Sequence, residues 1–443
     1  MEYSEIFVKA VSLILSLSIL VLLHEAGHFI PARLFKTKVE KFYLFFDPWF
    51  SLFKFKRGET EYGIGWLPLG GYVKIAGMID ESMDTDQLAG PPQEWEFRSK
   101  PAWQRLIVML GGVTVNIVLG IFIFWMLTLK YGETYIPNDK LPFGIAPGSV
   151  GRTIGLQAGD RIVAVNGKPI VRFEEVSSSK VLLGNSQLTI LRNGVEQQIQ
   201  VPGNILNQVA DEGIAEFIQP RIALQPIKEV AVGSPAEKAG MKAGDLIVQV
   251  NGQAVNFIDE YQQQLKVLKN KNVTIGLVRG EDTIQVSPIV AADATLGLGL
   301  SRKGLPTETK KYGFVQALPI GASKAWGSFA DNAKGIGKVL TGQIQANKAF
   351  TGPIGIATMF GNTVNWAKFW SLVGLLSMAL ALMNLLPIPA LDGGHAVFLV
   401  VEMIKGKPLS DKFMERAQMV GFVILMALMV LVFGNDIFKH ILK

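Results

Sequence analysis

From Leu106 to Leu129 the chain carries no charged residue. Three further segments are nearly as apolar: Ile6 to His28, interrupted by Lys9 near its start, then Phe369 to Leu391, and Ala417 to Gly434. About 20 apolar residues in a helix cover the ~30 Å hydrocarbon layer of a bilayer. Core helices of soluble proteins of that length are rarely uncharged. In lipid every backbone amide must be satisfied inside its own segment, so such runs fold as helices. Four transmembrane helices are therefore expected. The 49% hydrophobic content and mean hydropathy of +0.31 agree.

The 443 residues suffice for two to four domains. There is no cysteine, so no disulfide scaffold and no thiolate metal site is possible. The first apolar segment lacks a basic leader and a small-x-small cleavage site, and is read as retained. Basic residues crowd the segment after the first span (Arg33, Lys36, Lys38, Lys41, Lys54, Lys56, Arg57, Lys74, Arg98, Lys100) and the connection before the fourth (Lys405, Lys407, Lys412, Arg416). If all four segments cross, both stretches share one side, the cytoplasm by the positive-inside rule. The basic C-terminal "FKHILK" then lies outside, a minor conflict.

The long region between spans two and three contains a repeat. "GSVGRTIGLQAGDRIVAVNGKPI" begins at Gly148 and "GSPAEKAGMKAGDLIVQVNGQAV" at Gly233. Ala-Gly-Asp, an alternating apolar strand and Asn-Gly superpose, and Asn-Gly after such a strand signals a tight turn. The period is too long for a solenoid, so two copies of a small β-rich domain are expected. Tyr312 to Ile344 reads as one or two amphipathic helices near the outer surface.

"ILVLLHEAGHFIPARLF" places His24, Glu25 and His28 at the end of the first apolar run. Residues four apart share a helix face, so His24 and His28 suit one zinc ion, with Glu25 placed to take a proton from the attacking water. Gly27 leaves room for a neighbouring helix or a substrate. Ionisable groups inside a membrane are functional by default. Satisfied polar residues at a helix contact are the bland alternative; with four histidines in the whole chain, two at this spacing argue against it. A third ligand is needed. "MNLLPIPALDGGH" offers Asp392 and His395 at the end of the third span, which runs parallel to the first, so both clusters reach similar depth. Spacing does not decide between Asp392 and His395. Pro387 and Pro389 are expected to break the helix just before them, and Asn384 to serve either a substrate carbonyl or an interhelical hydrogen bond.

These motifs resemble the site-2 protease family of intramembrane zinc metalloproteases, most closely the bacterial regulator-of-sigma-E type with tandem PDZ domains. "HEAGHFIPAR", "GGVTVN" (Gly111 to Asn116), "PLGGYVKIAGM" (Pro68 to Met78) and "NLLPIPALDGGH" carry the resemblance, which spans essentially the whole chain. It implies one zinc per chain on His24, His28 and Asp392, Glu25 as catalytic acid/base, Asn384 as a substrate-positioning residue, and no ligand role for His395. Gly70, Gly71, Tyr72, Val73 and Asn116 fall on the matching motifs and are expected to contact substrate. The implied fold is a polytopic α-helical membrane protein with four transmembrane helices, a membrane-associated β-hairpin and two inserted PDZ-like domains. The implied partners are single-span membrane proteins, the lipid bilayer and peptide ligands of the PDZ grooves, with no nucleic acid. The expected place is the bacterial inner membrane, PDZ domains outside and zinc toward the cytoplasm.

The expected divisions are 1–35 (first span), 36–103 (loop with a hairpin at about 60–78), 104–131 (second span), 132–220 and 221–305 (the two copies) and 306–366 (amphipathic helices). Then come 367–402 (third span), 403–416 (cytoplasmic loop) and 417–435 (fourth span). "GIGWLPLGGYVKI" is read as a Gly-rich edge without a nearby partner, free to pair with an unwound substrate. Pro31 is expected to end or kink the first helix early. The acidic stretch from Glu81 has no assigned role. A PDZ adaptor, a zinc transporter and a soluble-type protease on a single anchor are the alternatives. The first leaves the His/Glu motif unexplained, the second lacks further polar residues along a path, and the third needs its motif outside the apolar run.

Overall fold

The computed structural model describes residues 3–68, 70–78, 90–301, 304–345 and 350–440. Most of the acidic stretch, residues 79–89, lies outside these. The chain divides into two compact units, residues 1–132 with 311–443, and residues 133–310.

Among the described residues the first unit is built on seven α-helices: α1 (Tyr3–Leu34), α2 (Ala102–Tyr131), α3 (Phe314–Leu340), α4 (Pro353–Phe360), α5 (Trp366–Leu385), α6 (Asp392–Lys405) and α7 (Asp411–His440). Among the described residues α1, α2, α5 and α7 are long and apolar enough to cross a membrane. α2 is the centre, packed against α1, α3, α5 and α6. Its contact with α1 is backbone to backbone. A Cβ on Gly27 would come within 2.5 Å of the Gly111 carbonyl oxygen, and one on Gly111 within 2.0 Å of the Gly27 oxygen. Lipid tails are as apolar as leucine, so such close approach is what draws membrane helices together. Gly27 thus serves the neighbouring helix, one of the two uses expected of it.

Pro31 does not end α1, which runs on to Leu34. Proline takes the N–H from the carbonyl four residues earlier. That carbonyl belongs to Gly27, and the Gly111 Cα–H points at it, a weak substitute bond.

The third apolar segment is shorter than expected. α5 stops at Leu385, and Leu386 to Leu391 form turns with Ala390 at φ 88° before α6 begins at Asp392. Pro387 and Pro389 break the helix where the sequence predicts. Gly393 and Gly394 let the start of α6 press on the carbonyls of Leu385 and Ile388, at 2.4 and 2.3 Å from where a Cβ would stand. The expected amphipathic region is one long helix, α3, with Pro319 in its second turn, followed by the short α4.

The expected hairpin at about 60–78 is instead part of a four-stranded mixed sheet. Its strands are β1 (Val39–Leu44), β2 (Phe46–Arg57), β3 (Thr60–Leu67) and β4 (Tyr72–Ile75), in the order β2-β3-β1-β4. β3 pairs with β2 on one side and parallel to β1 on the other. The "GIGWL" part of the Gly-rich segment is therefore an inner strand, not a free edge. The alternation that signals a strand does not say which strand will lie beside it. Among the described residues β4, antiparallel to β1, is an edge. β2, the other edge, exposes Trp49, Phe50, Leu52, Phe53 and Phe55, with Trp49 90% exposed. β1 and β4 lie against α1.

The second unit holds two sheets of identical strand order. In chain order their strands are Arg161–Val165, Lys168–Pro169, Ser186–Arg192 and Val195–Val201, then Leu246–Val250, Gln253–Ala254, Ile275–Arg279 and Asp282–Val286. Each has its own apolar core, centred on Leu188 and Ile190 in one and on Ile275 and Leu277 in the other. Asn166-Gly167 and Asn251-Gly252 have φ of 51°, 72°, 46° and 77°, the left-handed pairs of a tight hairpin. In both copies the Asp of Ala-Gly-Asp is 1% exposed and gripped by an arginine of the third strand. Asp160 meets Arg192 at 2.7 Å and Asp245 meets Arg279 at 2.7 Å. The unit's first and last strands, Glu133–Tyr135 and Glu308–Lys310, pair with each other.

Candidate metal centre

α1 presents His24 and His28 on one face because they are four residues apart. The break after α5 brings Asp392 to the same point from the first turn of α6. His24 Nε2 and His28 Nε2 are 3.3 Å apart, and Asp392 Oδ2 lies 3.4 Å from the first and 3.3 Å from the second. Three ligands at ~2.0–2.1 Å from a tetrahedral zinc stand about 3.3–3.4 Å from one another. The side lengths therefore match a zinc-sized triangle. Asp392 Oδ2 is buried and has no hydrogen-bond partner among the described residues, as suits a metal-ligating oxygen. Among the described residues this is the one group of three such side chains close enough to hold a metal. His395 lines the same cleft but its ring turns toward Gln418, 3.5 Å away, outside the triangle.

The surrounding residues fix the two imidazoles. His28 Nδ1 is 2.8 Å from the Val108 carbonyl oxygen, which leaves Nε2 free to bind. His24 Nδ1 is 3.0 Å from Asn116. Asn384 Nδ2 lies 3.1 Å from His24 Nε2, at the rim of the triangle, where its amide can reach a bound carbonyl. Glu25 lines the cleft beside the triangle. The cleft measures about 80 Å³, room for a few water molecules.

Of the expected substrate-contacting residues, Tyr72 and Val73 line this cleft together with Ile75. Gly71 is where β4 touches α1: a Cβ there would stand 2.6 Å from Val21 Cγ1 and 3.3 Å from Glu25 Cγ. Gly70, at φ 153°, is pressed against the Phe46 ring. Tyr72 stacks on Tyr43 at 5.3 Å and donates to Asp47 at 2.9 Å. Burial and the Asp47 carboxylate both push its phenol up, so it remains a donor. Asn116, also expected to contact substrate, lies apart from these residues. It is 0% exposed, behind His24, and lines no part of the cleft.

Gly112 went unassigned in the sequence. A Cβ there would stand 2.4 Å from His28 Nε2 and 2.5 Å from His24 Cε1, so α2 needs a bare backbone where the imidazoles lie. Two adjacent glycines inside an apolar helix, each costing ~1 kcal/mol of helix propensity, were the available signal.

Two imidazoles and a carboxylate at zinc spacing, with an acid beside them, have the donor set a metallopeptidase centre needs, and they are carried by α1, which is of membrane length, and by α6, which follows α5, also of membrane length. The chain belongs to peptidase family M50, whose sequence profile matches residues 12–428. It is 30% identical over 456 residues to the regulator of sigma E protease of Haemophilus influenzae, covering 97% of this chain and 98% of that one. Identity to the regulator of sigma-E protease RseP of Escherichia coli is 29% over 448 residues, with 96% and 97% covered. A Xylella fastidiosa protein named as a candidate zinc metalloprotease is 31% identical over 446 residues, with 96% and 97% covered. The chain is an intramembrane zinc metalloprotease.

Proposed function

We propose that one zinc ion is held by His24, His28 and Asp392, and that Glu25 is the catalytic acid/base. The observation that carries this reading is the triangle of 3.3–3.4 Å between their ligand atoms. Zinc bound there supplies a Lewis acid for a peptide carbonyl and lowers the pKa of water. Glu25 accepts the proton of the attacking water and returns it to the leaving nitrogen as the C–N bond breaks. Asn384 donates from Nδ2 to the carbonyl oxygen and steadies the substrate.

A transmembrane helix satisfies its own amides, so cleavage requires local unwinding. The unwound strand pairs with the open edge of β4, which leads its carbonyls past Glu25. Supporting this, β4 is a sheet edge and Tyr72, Val73 and Ile75 share the cleft with the metal-binding side chains.

The two β-rich copies are PDZ-like domains outside the cytoplasm, and the zinc site faces the cytoplasmic side of a bacterial inner membrane. The basic loops after the first span and before the fourth support this orientation. The substrates are single-span proteins already trimmed outside. Anti-sigma factors are one class, in keeping with relatives named as regulators of sigma E, and signal-peptide remnants are another. The PDZ-like pair restricts entry of untrimmed chains and offers grooves for peptide ends.

Metal analysis of the purified chain and cleavage of a tagged transmembrane peptide test the proposal. Zinc is expected at one per chain, lost in Asp392→Ala and retained in His395→Ala. The reverse pattern would exchange the third ligand. Glu25→Gln is expected to keep fold and zinc while cleavage falls by about 10²–10⁴-fold. Near wild-type cleavage by that variant overturns the role of Glu25.

A further inference from the structure

A metal takes an imidazole through a lone pair, so the other ring nitrogen must carry the hydrogen. For His28 the main chain enforces this. Val108 offers its Nδ1 a carbonyl oxygen at 2.8 Å, which only accepts. For His24 no carbonyl plays that part. Its Nδ1 faces the carboxamide of Asn116 at 3.0 Å, a group with one donating and one accepting end. Drawn with Nδ2 toward the ring, the carboxamide leaves Oδ1 buried without a partner among the described residues. It would also require a bare Nδ1, the tautomer that cannot bind through Nε2. Half a turn of the carboxamide presents Oδ1 to Nδ1–H instead, and Nε2 is freed toward His28 and Asp392.

The backbone of Asn116 is itself fixed. Ser377 of α5, 0% exposed, donates to the Asn116 carbonyl oxygen at 2.7 Å. Gly112, four residues earlier on the same face of α2, clears the space for the rings. We infer that Asn116 is the positioning residue of the metal centre, selecting the His24 tautomer by accepting its Nδ1–H, and that it never touches substrate. The inference rests on His24 being a zinc ligand.

The test is zinc affinity of the full chain in detergent, by competition with a fluorescent chelator, alongside its helical circular dichroism. Asn116→Leu keeps the size and removes both polar ends. It is expected to weaken zinc binding by about 10–100-fold, the usual effect of losing such a partner. Asn116→Asp accepts at both oxygens and is expected to bind within a few-fold of the original. A side chain that only filled space would give the opposite order, since leucine suits an apolar helix contact and a bare carboxylate does not. Wild-type affinity in the leucine variant overturns the inference. If that variant does not fold, the aspartate variant decides: zinc kept supports the inference, and loss of zinc or of fold overturns it. His24→Ala separates the two layers. Zinc kept by His24→Ala sinks the ligand reading itself, whereas zinc lost there but held normally by Asn116→Leu sinks only the role of Asn116.

Discussion

The membrane unit and the β-rich unit both bury polar groups, but to different ends. In the β-rich unit leucine, isoleucine and valine fill two ordinary cores, and the buried carboxylates are staples within single copies. In the membrane unit many apolar side chains face outward, among them Ile6, Phe7, Val118, Phe122, Val423 and Val430, while others such as Leu20, Val373 and Met378 are buried beside His24, His28 and Asn116. Water drives burial in the first case. In lipid that drive is absent between helices, so glycine contacts hold the unit and a polar cluster inside it has to be explained by chemistry. The difference teaches that the same residue type does different work in the two units, and glycine shows it most clearly.

The largest effect should come from adding one methyl group at each kind of glycine. Gly112→Ala puts a carbon on the His24 and His28 rings and is expected to abolish stoichiometric zinc and cleavage together. Gly252→Ala, in open space at φ 77°, only strains a turn, at about 1–2 kcal/mol, and should leave zinc untouched. Metal content and hydrogen exchange on both variants would expose the comparison as wrong if Gly112→Ala kept its zinc.

The next effect concerns the sheet edge. Successive amides of a strand point to opposite sides, so of Val73 and Lys74 one faces β1 and the other the open edge. Proline at the outward position should cut cleavage at least about tenfold with zinc content unchanged, because a substrate strand loses its donor. If proline at neither position affects cleavage by a folded, zinc-loaded chain, another edge receives the substrate.

The β-rich unit should respond more mildly and twice over. Asp160→Ala and Asp245→Ala each remove a carboxylate gripped by arginine in a separate core. Each is expected to lower that unit's thermal midpoint by about 5–10 °C, and the losses should nearly add. Strong non-additivity would mean that the copies share one cooperative core.

The smallest effect is an acid one. Burial would raise the Glu216 carboxyl, but Lys266 and the Ser149 amide and hydroxyl outweigh it and hold it at about 2. A carboxylate lowered on folding stabilises above its unfolded value of ~4.3 and loses that contribution as pH falls toward 2. Between pH 4.5 and 2 the protection of the Glu216–Lys266 contact against hydrogen exchange should fall, and Glu216→Gln should flatten that dependence. The carboxylate is partly exposed, so solvent screening keeps the change modest.

Some of this was legible before any fold. Four long apolar runs can only be helices in lipid, His24 and His28 share a face by helical geometry, and Pro387 and Pro389 must interrupt the third run. The repeated Ala-Gly-Asp and Asn-Gly gave two β-rich copies because turn and strand chemistry are local. Local rules stop where separate segments meet. Spacing left Asp392 and His395 equal, and only the turn between α5 and α6 brings one carboxylate within 3.4 Å of both imidazoles. The Gly-rich segment announced strands, but strand order is a matter of distant pairing, and that order buried β3 and left β4 at the edge. Asn116 carried no mark of its place behind His24, and Pro31 none of the Gly111 Cα–H that meets the carbonyl it frees. Periodicity and composition are properties of one segment, whereas ligand triangles, sheet edges and helix contacts exist only between segments, and the packing of α1, α2, α5 and α6 and the pairing of the four strands decided them.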